Sequence, residues 1–160
     1  MRFATLLEDF AAAVQRNDGP GLAALFTPDG IYEDGFFGPH AGAAAIAAML
    51  QRFHDGGRDY WWEFFDAVDV GDIGYARWRF SYASRRAGVE GHPVLFEGIS
   101  QFRLRDGLIA HYFEVFDRGL ALAQQAYPPA GIASVVAKAA ARQNAKPACR
   151  PHLARFAAPE

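Results

Sequence analysis

Apolar positions recur at helical spacing in three stretches near the N-terminus. Phe3, Leu6, Leu7, Phe10 and Val14 predict an amphipathic helix over 3–16. The run Asn17-Asp18-Gly19-Pro20-Gly21 ends it. Leu22, Leu25 and Phe26 predict a second short helix, stopped by Thr27-Pro28-Asp29-Gly30. A short strand over 31–34 and a loop over 35–39 follow. Ile46, Met49, Leu50 and Phe53 predict a third helix over 41–54, closed by Gly56-Gly57.

The period then changes from helix to strand. Residues 59–70 are aromatic-rich and extended, and Gly71-Asp72 reads as a turn. Residues 73–84 alternate, with Trp78, Phe80 and Tyr82 on one face and Arg77, Arg79 and Ser81 on the other. A loop over 85–91, a strand over 93–105, a turn at Asp106-Gly107 and a last strand over 108–117 complete the series. Helices first and hairpin-linked strands afterwards predict an α+β fold, an antiparallel sheet with three N-terminal helices packed on one face. Helices over 118–126 and 131–143 are predicted beyond it. Residues 127–160 have too few large apolar side chains for a core of their own and read as a helical extension of a domain over 1–126.

Loop length at Asp106-Gly107 decides what faces the last strand. A two-residue loop sets Ile99 opposite Glu114. A three-residue loop with a left-handed bulge at Gly107 sets Gly98 opposite Glu114 and Ser100 opposite Tyr112, and the Arg-Asp-Gly-Leu stretch suits it. On that register Ser100, Tyr112, Glu114 and Phe116 share the inner face with Trp78, Phe80 and Tyr82. Arg77, Arg79, Arg103 and His111 then lie outside beside Ile99, Ile109, Phe113 and Val115. A face mixing apolar and arginine residues suits contact with a second copy of the chain.

Composition narrows the class. The 160 residues are 51% hydrophobic and 14% aromatic, which excludes a disordered chain. No apolar run approaches a membrane span. Glu8 and Asp9 within the first apolar stretch argue against a signal peptide, so a cytoplasmic location is expected. The single cysteine, Cys149, excludes an intrachain disulfide. Residues 1–117 carry 17 acids and 10 bases, whereas 118–160 carry one acid and 6 bases. The basic tail is too dilute to argue for nucleic acid and fits a solvated helical face. No phosphate-binding glycine loop, nucleophile elbow or metal-ligand spacing is present, and neither metal nor cofactor is expected.

Three segments carry a resemblance. They are AVQRNDGPGLAALFTPDGIYED (13–34), GPHAGAAAIAAML (38–50) and FRLRDGLIAHYFEVFD (102–117). In order and spacing they resemble the nuclear transport factor 2-like superfamily, and within it the SnoaL-like group, over about residues 3–125. The resemblance implies a cone whose helices and curved sheet enclose an apolar pocket, and a homodimer formed through the outer sheet face. It does not imply one activity, because relatives include ketosteroid isomerase, limonene-epoxide hydrolase, scytalone dehydratase, polyketide cyclases and non-catalytic modules.

Candidate residues follow from that resemblance. Asp34 matches the general base of ketosteroid isomerase, yet the two oxyanion donors of that enzyme fall on Phe10 and Ser100, which argues against steroid isomerisation. Glu114 matches an aspartate of limonene-epoxide hydrolase. The neighbouring Arg-x-Asp of that enzyme is here Arg77-Trp78-Arg79, without its carboxylate. Asp117 matches an acid/base aspartate of polyketide cyclases. His40 lies in the loop before the third helix, within reach of a pocket mouth.

Each of these has a plainer reading that stands beside the chemical one. Asp34 suits a turn cap, Glu114 a wet cone mouth or the outer face, Asp117 a helix N-cap and His40 a turn position. Phe10, Tyr32, Trp78, Phe80, Tyr82, Ser100, Tyr112 and Phe116 are expected to line the pocket, with the tyrosines offering hydroxyls or only bulk. The chain therefore reads as a small-molecule protein taking an apolar, planar or cyclic ligand. It is either a cofactor-independent acid/base enzyme using Asp34 and Glu114 or a non-catalytic binding or dimerisation module.

Overall fold

The computed structural model describes residues 2–156. Helices α1 (Phe3–Gln15), α2 (Gly19–Ala24) and α3 (Ala43–Gly56) pack against one six-stranded sheet. Its strands are β1 (Phe26–Asp34), β2 (Gly38–Ala41), β3 (Gly57–Val70), β4 (Ile73–Ser84), β5 (Pro93–Arg105) and β6 (Leu108–Phe116), in the order β2-β1-β6-β5-β4-β3. All neighbours are antiparallel except β1 and β6. Helices α4 (Arg118–Gln124), α5 (Pro129–Ala145) and α6 (Arg150–Ala154) follow, with one 3-10 turn between the last two.

Local chemistry explains the departures from the predicted elements. Asn17 takes a left-handed conformation at the end of α1. Asp18 starts α2 at once by accepting the Gly21 amide at 2.8 Å, and Pro20 sits in the first turn. The second helix therefore begins inside the segment expected to be a terminator. Thr27-Pro28-Asp29-Gly30, expected to stop that helix, instead lies within β1. The loop after Asp34 shrinks to Gly35-Phe36-Phe37, because β2 folds back with Gly38 opposite Asp34.

The sheet bends where residues are inserted. Asp59 and Asp66 adopt positive φ, and the pairing of β3 with β4 shifts beside each. The last hairpin corrects the expected register. Asp106 (φ 54°) and Gly107 (φ 77°) are both left-handed, as a two-residue type I′ turn requires, so Arg105 faces Leu108. One extra residue, Ala110, then bulges from β6. Ser100 therefore lies opposite Glu114, Gly98 opposite Phe116 and Phe102 opposite Tyr112. The inner face is unchanged for Ser100, Tyr112, Glu114 and Phe116, since the bulge restores the alternation that the short turn had inverted. Ile109 lies before the bulge and points inward instead, fully buried.

Phe10 from α1 plugs the closed end of the cone. Its ring lies 5.1 Å from that of Tyr112 and 5.9 Å from that of Tyr32, and the two tyrosine rings are 4.5 Å apart. On the outer face Trp61, Val68, Val70, Leu95, Ile99 and Val115 are exposed. Arg77 and Arg79 cover the Phe65 ring there and pair with Glu63, Asp66 and Glu97. No helix among the described residues is long and apolar enough to cross a membrane.

Candidate functional site

A cavity of about 470 Å³ lies between the inner sheet face, α3 and α4. Its wall is aromatic, built mainly by Tyr60, Trp62, Trp78, Phe80, Tyr82 and Phe96. These residues stack side by side, with Trp62 and Phe80 rings 4.9 Å apart and Tyr60 and Tyr82 rings 5.0 Å apart. Two buried carboxylic acids interrupt the wall, Asp34 from the end of β1 and Glu114 from β6. They are only 4% and 6% exposed.

The two acids are held differently. Asp34 Oδ1 accepts the Phe36 amide at 2.8 Å and the Phe37 amide at 2.5 Å. It caps the β1–β2 hairpin loop as an Asx turn while still reaching the cavity wall. The turn-cap position thus leaves the Asp34 carboxyl on the cavity wall. Glu114 Oε1 accepts the Gly35 amide at 3.0 Å. Glu114 Oε2 accepts the Tyr112 hydroxyl at 2.8 Å. Behind it the Ser100 hydroxyl donates to Tyr112 Oη at 2.8 Å, and the Trp78 indole N–H donates to Ser100 Oγ at 2.8 Å. A buried chain of donors thus ends on Glu114. The Arg118 guanidinium donates through Nε to the Gly35 carbonyl at 2.5 Å, which brings a cation to the back of the same loop.

Burial governs the titration of these groups. It pushes the Glu114 carboxyl up to about 8, and the nearby Asp34 charge pushes in the same direction. The Gly35 amide, Tyr112 and Arg118 oppose it. Burial also raises Asp34, against the pull of the Phe37 and Phe36 amides. Burial and the Asp34 charge together disfavour ionisation of Glu114.

The expected lining residues divide. Trp78, Phe80, Tyr82 and Phe116 are on the wall. Phe10, Tyr32, Ser100 and Tyr112 point inward but are not on it; they fill the narrow end of the cone beneath the acids. Tyr32 Oη is buried there without a hydrogen-bond partner among the described residues. Asp117 is exposed, is not on this wall, and accepts the Leu120 amide at 2.9 Å as the N-cap of α4. His40 sits on β2 opposite Tyr32, also off the wall, with burial lowering its pKa. Among the described residues no three His, Cys, Asp or Glu side chains gather as metal ligands.

Sequence reasoning missed Tyr60, Trp62 and Phe96, which the same two-residue alternation in β3 and β5 marks as inner. It also missed Arg52, Arg85 and Arg86 at the mouth, where no periodic signal singles them out.

The SnoaL-like domain model matches residues 7–112. No curated protein matches the chain. Among solved structures, a protein from Catenulispora acidiphila with a ketosteroid isomerase-like fold, in complex with trimethylamine, superposes with a TM-score of 0.70. It is 21% identical, over 77% of this chain and 93% of that one. TsrD from Streptomyces laurentii gives 0.65 at 25% identity, over 78% and 96%. An LEH-like epoxide hydrolase from M. tuberculosis gives 0.61 at 19% identity, over 75% and 86%. With a family match across about two thirds of its length and this curved-sheet fold, the chain belongs to the SnoaL-like domain family of the nuclear transport factor 2-like superfamily.

Proposed function

We propose that the protein is a cofactor-independent acid/base enzyme acting on an apolar, planar or cyclic small molecule. One observation carries this reading: two buried carboxylic acids, Asp34 and Glu114, stand among the aromatic side chains of a cavity of ligand size. An acid kept protonated by burial beside a second carboxylate supplies both a donor and an acceptor in one site. Glu114 serves as the proton donor. Asp34, oriented by the Phe36 and Phe37 amides, serves as the acceptor. The aromatic wall excludes water and stacks on a flat substrate. Isomerisation, cyclisation and hydrolysis all fit this pairing. Steroid isomerisation fits poorly, because Phe10 lacks a hydroxyl and Ser100 is engaged with Trp78 and Tyr112.

The experiment is a thermal-shift screen of phenols, polycyclic ketones, lactones and epoxides, followed by turnover assays on the stabilising compounds. A ligand at 100 times its dissociation constant adds about 2.7 kcal/mol of stability. Asp34→Asn and Glu114→Gln should each lower turnover by ~10²–10⁴. Unchanged turnover in both variants would overturn the acid/base pair, and binding without any turnover in the wild-type protein would leave a non-catalytic binding module as the better reading. The same proposal includes a homodimer through the outer sheet face, where Ile99 and Val115 are exposed beside Leu95 and Trp61. Light scattering should give twice the chain mass, and Ile99→Glu should return the monomer.

A further inference from the structure

The cavity wall carries buried acids and exposed bases. Asp34 and Glu114 are its buried charged residues. Its solvent-facing lining, the mouth, carries Arg52 on α3, Arg85 and the half-buried Arg86 after β4, with one acid, Asp55. Three cations against one anion give the mouth a net positive charge.

The three arginines are not equivalent. Arg86 donates to the Gln125 and Ala126 carbonyls at 2.6 and 2.8 Å and lies over the Tyr127 ring at 4.6 Å. It is committed to holding the end of α4. Arg52 and Arg85 are exposed and make no ion pair among the described residues. Elsewhere Arg58, Arg77, Arg79 and Arg105 each hold a carboxylate. The one rim acid, Asp55, is bound instead by Gln51 at 3.0 Å. Two guanidinium groups at the mouth of an apolar cavity are thus left open.

We propose that the ligand enters with an anionic end outermost, a carboxylate on an aromatic or polycyclic body, received at the mouth by Arg52 and Arg85. This rests on the reading of the cavity as the substrate site. The orientation follows from charge. A carboxylate driven inward meets two acids in an apolar setting, whereas one left at the mouth meets two unpaired guanidinium groups. A carboxylate suits these groups because the guanidinium fork matches it in a planar, bidentate way. The neutral, reacting part of the ligand then lies at Asp34 and Glu114. Arg52 and Arg85 are specificity residues and take no part in proton transfer.

Calorimetric titration with 2-naphthoate and its neutral isostere 2-naphthamide tests this on the full chain. At about 50 mM salt the naphthoate should bind about tenfold or more tightly than the amide, and the gap should narrow at about 0.5 M salt as charges are screened. The double variant Arg52→Gln/Arg85→Gln should bind both probes alike, with the amide affinity unchanged. Equal binding of the two probes by the wild-type protein, or a preference surviving in the double variant, overturns the proposal while leaving the cavity as the substrate site. Failure of both probes to bind overturns the proposal together with the cavity reading. Melting curves of the double variant guard against misfolding, and both substituted positions are exposed.

Discussion

Tyr112 and Glu114 lie two positions apart on β6, face the same interior, and are joined by a 2.8 Å hydrogen bond from the tyrosine hydroxyl to the carboxyl Oε2. Tyr112 thereby connects the acid at the cavity to Ser100 and Trp78 in the core. Tyr112→Phe removes a donor from Glu114 and leaves the Ser100 hydroxyl without its acceptor. A buried polar group left unsatisfied costs about 1–3 kcal/mol, which urea unfolding should detect. The same change should raise the Glu114 pKa further, because Tyr112 stabilises the charged form.

Stability should fall as the pH rises. Glu114 has its proton held more tightly in the folded state, near 8, than at its ordinary value of 4.5. Between those values the unfolded chain binds fewer protons than the folded one, so stability decreases with pH. The contribution is fully present below about pH 4.5 and is lost as the pH passes the folded value. Each tenfold change in proton affinity is worth ~1.4 kcal/mol. Melting temperatures of wild type and Glu114→Gln from pH 5 to 9 check this; the wild-type curve should fall more steeply.

Gly35 is needed for lack of space. A Cβ there would stand 2.2 Å from the Phe116 ring, on the wall of the cavity. Gly35→Ala must therefore move Phe116 or pull the Gly35 amide away from Glu114. Overpacking of this kind costs about 1–3 kcal/mol. Ligand affinity should drop with it, since Phe116 and Glu114 both line the cavity. Denaturant unfolding and a titration with any ligand from the screen would measure the two effects.

Asp117 separates a structural role from a chemical one. As the N-cap of α4 it should cost about 0.5–2 kcal/mol when changed to alanine. Turnover per folded molecule should not change, because the side chain is exposed and off the cavity wall. A rate loss at full occupancy of the folded state would restore the acid/base role that the resemblance implies.

What the sequence made legible was alternation. Trp78, Phe80 and Tyr82 point inward because a strand repeats every two residues, and no tertiary detail changes that. Glu114 falls on the inner face although Ser100, and not Gly98, lies opposite it. The tight turn at Asp106-Gly107 and the bulge at Ala110 each invert the alternation, and together they cancel. The register itself was not legible, since a one-residue bulge leaves no mark in composition.

Inward direction also differs from lining a cavity. The taper of the cone packs Phe10, Tyr32 and Tyr112 on one another, so these rings close the end rather than face the space. The contact of Gly35 with Glu114 joins residues 79 positions apart, beyond any local pattern. The open arginines at the mouth look like any solvated surface charge until the cavity beneath them is known.

The central claim is that Glu114 keeps a proton in the folded protein because it is buried beside Asp34. Carbon-detected NMR of glutamate-labelled protein, titrated from pH 4 to 10 and assigned with Glu114→Gln, measures it directly. The account predicts one glutamate titrating near 8, with its midpoint lowered in Asp34→Asn because a neighbouring negative charge has been removed. A Glu114 signal that titrates at an ordinary carboxylate pH and ignores Asp34→Asn would contradict it.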